Sequence, residues 1–223
     1  MEKEIKERLA DWGFTPDAAA SEKLGILARE IEEKNAVINL VSKNDLPCLW
    51  SRHLCDSLAA APLLLKLLPA GALVADAGCG PGLPGLPLAA ALPALRFELW
   101  DSNGKRVEFA RLAAAAMRLE NACPQWRRIG QSGAFEKARY DAVIERAMGK
   151  LENILPQCLN MLKSGGVFLA WQSGLEDAGT PGALKALSKA GAQRETEFAY
   201  TLPGEARVRH ILVFRKGRAT GGG

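Results

Sequence analysis

The sequence predicts a doubly wound α/β sheet, parallel through most of its width, with a helical extension before it and an antiparallel strand pair at its end. Three observations carry that expectation. From residue 71 short apolar runs alternate with helical patterns; one turn between them, within VADAGCGPGLPGLP (residues 74–87), holds four glycines; and the last two apolar runs are joined by a Pro203-Gly204 turn too short for a crossover.

The elements follow in order. Ile5, Leu9 and Trp12 fall on one helical stripe, and after the start signal Thr15-Pro16-Asp17 a second stripe carries Leu24, Leu27 and Ile31. Residues 1–60 are expected to form a helical extension packed on the main domain, residues 61–218 that domain, and the Gly-rich residues 219–223 a disordered tail. Strands are expected at Leu73–Ala75, Phe97–Trp100, Gln125–Ile129, Ala142–Ile144 and Val167–Ala170. Helices are expected at Ala110–Leu119 and Leu151–Leu162, the second closed by Lys163-Ser164-Gly165-Gly166. Phe198–Leu202 and Val208–Phe214 supply the antiparallel pair. The architecture expected is Rossmann-like.

Composition narrows the function classes. The formal charge is +4, but Met1–Leu40 is net −3, so residues 41–223 carry +7, a weak pointer to a polyanionic partner that a merely solvated surface would explain as well. Cys48, Cys55, Cys79, Cys123 and Cys158 are odd in number and never spaced C-x-x-C, and His53 and His210 are the only histidines. Neither a disulfide framework nor a metal site is expected, and a reduced, cytoplasmic setting is. The first ten residues are charged where a secretory signal would be apolar, and no apolar run approaches a membrane span.

The glycine loop follows the first expected strand, the usual cradle for a ligand in such a sheet. Gly80-x-Gly82-x-x-Gly85 satisfies the dinucleotide pattern, and Gly78-x-Gly80-x-Gly82 that of S-adenosylmethionine enzymes. Pyrophosphate wants backbone N–H donors, and Pro81, Pro84 and Pro87 each remove one. Asp76 would repel a phosphate but suits the ammonium of a methionine moiety, so the methyl donor is favoured. Asp101, at the end of the second strand, suits the ribose diol that both ligands share; it also precedes a helix that it could cap. A nicotinamide-dependent reductase and a non-catalytic RNA-binding assembly factor remain as rival readings.

Acceptor chemistry leaves its own marks. No cysteine nucleophile follows the fourth strand, nor does the Asn/Asp-Pro-Pro-aromatic segment of exocyclic-amine methylases; the segment reads IERAMGK, with Glu145 and Arg146. A ring nitrogen such as guanine N7 needs alignment rather than a base, and Arg146 could hold a ring edge, the cofactor or a phosphate, or merely pair with Asp141 or Glu145. Arg52, His53 and Asp56 lie within one helical turn, either as an RNA contact or as a buried polar knot. Lys105, Arg106, Arg127, Arg128, Arg207, Arg209 and His210 are further cationic candidates for phosphates.

The segments NLVSKND (39–45), RHLCDS (52–57), DAGCGPGLPGLPLA (76–89), DSNGKRVEFAR (101–111), LEN (119–121), YDAVIERA (140–147) and RHILVFRK (209–216) together resemble the glucose-inhibited division protein B family, the 16S ribosomal RNA (guanine-N7) methyltransferases. The resemblance implies a class I S-adenosylmethionine-dependent methyltransferase acting, as a monomer, on 16S ribosomal RNA or the small ribosomal subunit. It places donor contacts on Gly78, Leu83, Ile129, Gly130 and Arg146, beside Asp76, Gly80, Gly82 and Asp101 from the residues themselves. Arg52, His53, Lys105, Arg106, Arg128 and Arg209 are the RNA candidates. This chain departs from the family pattern at Gly130, where an acidic residue is usual, and at Ala170-Trp171-Gln172, where Leu-Lys-Gly is; Trp171 could stack on a base instead.

Overall fold

The computed structural model describes residues 3–130 and 137–217. The tail expected at 219–223 lies outside the described residues. Seven strands form: Leu73–Ala77 (β1), Arg96–Asp101 (β2), Ala122–Trp126 (β3), Tyr140–Arg146 (β4), Leu162–Gln172 (β5), Ala192–Thr201 (β6) and Val208–Lys216 (β7). They make one sheet in the order β3-β2-β1-β4-β5-β7-β6. The first five are parallel, and β7 runs antiparallel to both β5 and β6. This is the doubly wound sheet with a terminal antiparallel pair that the apolar runs predict.

The helices before the sheet begin with Lys3–Asp11 (α1) and Ala18–Ile38 (α2), and Asp17 caps the second by accepting the Ala20 N–H at 2.7 Å. A π-type turn, Leu49–Cys55, runs into the short Asp56–Leu58 (α3), and Ala61–Leu67 (α4) follows. Between the strands come Gly85–Ala91 (α5), Gly104–Ala116 (α6), Leu151–Met161 (α7) and Pro181–Ala190 (α8).

The two-residue period of the strands divides the core. Val74, Leu99, Ile144, Leu169 and Val213 pack with Ile5, Leu9, Leu24, Leu86 and Phe109 of α1, α2, α5 and α6. Their chain neighbours Ala75, Trp100, Val143, Phe168 and Leu212 face the other way, onto Leu151, Leu155, Ala183 and Leu187 of α7 and α8. The amino-terminal helices thus share one continuous core with the sheet.

Several boundaries differ from expectation. The helix expected at Ala110–Leu119 runs Gly104–Ala116, started earlier by the Asn103 cap, and β6 begins at Ala192 rather than Phe198. The third strand is Ala122–Trp126, not Gln125–Ile129, because Phe97 pairs with Ala122 and the chain leaves the ladder at Arg127, whose N–H still reaches the Asp101 carbonyl at 3.0 Å. As an edge strand with only Pro124 buried, it has little apolar signal. The segment Lys163–Gly166 opens β5 rather than capping α7: Leu162 already pairs with Tyr140, and Gly165 takes a left-handed turn (φ 79°) at the bulge that follows.

Candidate active site

The sheet order reverses between β1 and β4, and the loops leaving their carboxyl ends open the crevice in which such sheets hold ligands. The loop after β1 is drawn tight from both sides. Asp101 at the end of β2 accepts the Gly80 N–H at 2.9 Å, and Asp76 at the end of β1 accepts the Gly85 N–H at 2.7 Å. The glycines differ in purpose. A Cβ on Gly85 would stand 2.6 Å from Asp76 Oδ2 and 2.8 Å from Leu99, so α5 approaches β1 only because that residue is bare. Gly80, at φ 53°, faces open space within 4 Å, which is what a loop that admits a ligand to its backbone requires.

Asp76 is fully buried; Oδ1 has no partner among the described atoms, while Oδ2 holds Gly85. Burial raises its pKa to about 7, opposed by the Gly85 N–H and reinforced by the charges of Glu145 and Asp101. Glu145, sealed at the end of β4, is likewise raised by burial to about 7; it accepts the Met148 N–H and leaves Oε2 unpartnered. Between them Ala147 is held at φ 67°, a conformation that costs a residue with a Cβ about 1–2 kcal/mol. Strain at this point is an active-site habit, and no sequence signal marks an alanine for it.

Asp101 does not cap α6. Its Oδ1 accepts the Asn103 N–H at 2.7 Å, and Asn103 is the cap, accepting from Lys105 and Arg106. The two oxygens of Asp101 therefore fix the ends of two loops and keep acceptor capacity to spare.

Arg146 pairs with neither Asp141 nor Glu145. Its Nη1 donates to Asp56 Oδ2 at 3.0 Å and to the His53 carbonyl at 3.3 Å. Asp56 is the hub of a buried knot: Tyr200 donates its hydroxyl to Oδ1 at 2.6 Å, and Trp171 donates its indole N–H to the backbone carbonyl at 3.1 Å. Tyr200 in turn meets Trp12, just beyond α1, edge to face at 5.2 Å between centroids. A cavity of about 320 Å³ opens beside the knot, lined by Glu145, Arg146, Ala147, Trp171, Gln172 and Arg209 among others.

The cationic candidates separate. Arg52 is tied to Asp45 at 3.0 Å and Glu205 at 2.9 Å, and Arg209 to Glu205 at 2.9 Å. His53 is pulled down to about 4 by burial and by Arg146, so it is neutral at pH 7 and offers RNA no charge. Trp171 is 8 % exposed with its N–H engaged, and is a cavity wall rather than a free stacking face. Lys105 and Arg128 are exposed and Arg106 half-buried on the far rim, by β2 and β3. Ile129 packs on the α7 side of the core, and Gly130 follows it at φ 82° with Gln157 where a side chain would begin. Among the described residues no group of three or more acids, histidines or cysteines is placed to hold a metal ion, and no helix is long and apolar enough to cross a membrane.

Sheet order, glycine cradle and a carboxylate at the end of β2 together define the class I fold of S-adenosylmethionine-dependent methyltransferases. Among solved structures, the SAM-dependent O-methyltransferase of Thermotoga maritima superposes with a TM-score of 0.56 at 19% identity, covering 75% of this chain and 66% of that one. The family model of rRNA small subunit methyltransferase G (GidB) matches residues 20–196, and the chain belongs to that family. It is 39% identical over 164 residues to the ribosomal RNA small subunit methyltransferase G of Sorangium cellulosum, covering 73% of this chain and 68% of the relative. With the protein of the same name from Stenotrophomonas maltophilia (strain K279a) it shares 35% over 212 residues, covering 94% and 92%. Membership of a methyltransferase family removes the nicotinamide reductase reading.

Proposed function

We propose that the chain transfers a methyl group from S-adenosylmethionine to N7 of a guanine in 16S ribosomal RNA, presented as free RNA or in the small ribosomal subunit, and works as a monomer. The names of its relatives support the RNA class. The observation that carries the reading is the junction at the ends of β1 and β4, with a bare glycine cradle on one side and Arg146 beside a 320 Å³ cavity on the other.

The residues present fit the donor. Gly78, Gly80, Gly82 and Leu83 would line its methionine end, and the unpartnered oxygen of Asp76 suits its ammonium, directly or through water. Asp101 would accept from the ribose diol, and Ile129 and the backbone of Gly130 would border the adenine. Bound there, the donor supplies a sulfonium methyl.

The protein's part is alignment and exclusion of water. Guanine N7 carries an in-plane lone pair and loses no proton when it reacts, so it asks for no general base. Arg146 is fixed by Asp56 before any substrate arrives and lines the cavity, where its remaining N–H donors would meet guanine O6 or a phosphate. Glu145 on the cavity wall, in its ionised form, would offset the positive charge that the purine gains on methylation.

The test is transfer of labelled methyl from S-adenosylmethionine to small ribosomal subunits lacking the modification, followed by digestion to nucleosides. Label in 7-methylguanosine is the expected result. Label in another nucleoside overturns the ring position, and absence of label despite donor binding favours the assembly-factor reading.

A further inference from the structure

Trp126 is the last residue of β3 and stands 70 % exposed on the edge of the sheet. It is not loose. Its indole Nε1–H donates to the Ser102 carbonyl at 3.0 Å, and the ring lies over Gly104, whose Cβ, if present, would be 3.6 Å from Cε2. An aromatic ring fixed in water by a hydrogen bond and a packed edge has little freedom left to lose when something covers it.

Its surroundings are cationic. Lys105 and Arg106 follow Gly104 in the first turn of α6, a turn held by Asn103, and Arg128 is exposed two residues beyond the ring. Arg127 points elsewhere, its guanidinium 5.3 Å over the Trp100 ring in the interior. A protein partner would want a contiguous apolar patch, and here one aromatic face stands among charges. A single-stranded nucleic acid offers both a π-face for the indole and phosphates for the cations, whereas a duplex keeps its base faces stacked inside.

We infer that Trp126 is a stacking platform for an unpaired base of the RNA substrate, outside the cavity that takes the target guanine. This rests on the reading of RNA as the acceptor. Trp126 pairs in register with Asp101, so the platform shares the carboxyl-end rim with the donor cradle. Three strand spacings separate β3 from β4, about 14 Å. A short single-stranded stretch flanking the guanine spans that gap, with Lys105, Arg106 and Arg128 along its phosphates.

The test compares Trp126→Ala and Trp126→Phe with the unaltered chain. Fluorescence anisotropy would follow a labelled, unstructured RNA oligonucleotide and an RNA duplex of the same length at fixed salt, and calorimetry would follow S-adenosylhomocysteine. The expected result is single-strand binding about tenfold weaker for the alanine variant and largely restored by phenylalanine, with duplex and S-adenosylhomocysteine affinities unchanged. Wild-type single-strand affinity in Trp126→Ala overturns the platform. Equal loss of S-adenosylhomocysteine affinity also overturns it, by making Trp126 a wall of the donor site. If the unaltered chain binds no S-adenosylhomocysteine at all, the methyl-transfer reading fails instead, and the RNA comparison still decides the platform. The phenylalanine variant, which keeps the ring over Gly104, guards against a folding defect.

Discussion

Arg146 at the end of β4 and Asp56 in α3 form an ion pair at 3.0 Å with side chains only 13 % and 5 % exposed, across a sequence separation of 90. Removing one member of such a pair strands the other in the interior and costs about 3–5 kcal/mol. Arg146→Ala should therefore abolish methyl transfer and also lower the melting temperature. Arg146→Lys, which keeps the charge but not the fork, should stay folded and transfer at least about tenfold more slowly. Melting curves beside single-turnover rates check this; near-normal transfer by a folded lysine variant would remove the positioning role.

Gly80 and Gly85 should respond differently to the same small change. Gly85→Ala drives a methyl into Asp76 and Leu99, so its effect should appear as lost thermal stability. Gly80→Ala meets open space, costs only the strain of φ 53°, about 1–2 kcal/mol, and should appear as weakened S-adenosylhomocysteine binding in calorimetry. Equal affinities for the Gly80 variant and the parent would exclude that backbone from the donor site.

Asp76→Asn keeps the acceptor for Gly85 N–H while removing the charge. Donor affinity should fall more than affinity for 5′-methylthioadenosine, which lacks the ammonium. A matching fall for both ligands would show that Asp76 shapes the loop and does not meet the amino acid end.

Glu145 gives a pH signature. Unfolded, it titrates near the ordinary glutamate value of 4.5; folded, burial raises it to about 7. Between those values the folded chain holds a proton that the unfolded chain has lost. The contribution is thus full below about pH 4.5, declines as pH rises to 7 and is flat above, a loss of the order of 3 kcal/mol. Glu145→Gln, which can still accept the Met148 N–H, should gain on the parent between pH 5 and 8 in denaturant melts. Parallel pH profiles for the two proteins would refute the raised pKa. Asp76 shifts in the same direction, so a slope should persist in the variant.

The parts legible in the sequence were those written locally. Strands β1, β2 and β4 announce themselves because both faces are covered and the runs are apolar; the glycine loop and Asp101 do so because the ligand chemistry needs those residue types at that spacing. The edge strand β3 escapes local reading because exposure leaves Ala122–Trp126 without a pattern. The partners of Arg146 were beyond local reading for another reason. Tyr200 joins Asp56 across a sequence separation of 144, and no spacing rule connects them. Met148, whose side chain lies against Gly78, and the strained Ala147 carry no residue-type signal either.

The order of the strands also governs when the site can exist. β7 is made last yet lies inside the sheet, and β6, with Tyr200, reaches the other strands only through it. Until β7 has been synthesised and has paired, the edge of β5 is bare, Asp56 lacks its hydroxyl donor, and Arg146 is anchored by half a knot. The site is completed only once Lys216 has emerged. A chain in which β7 has not yet paired therefore holds Arg146 by an incomplete anchor, and the last pairing of the sheet is also the last step in building the site.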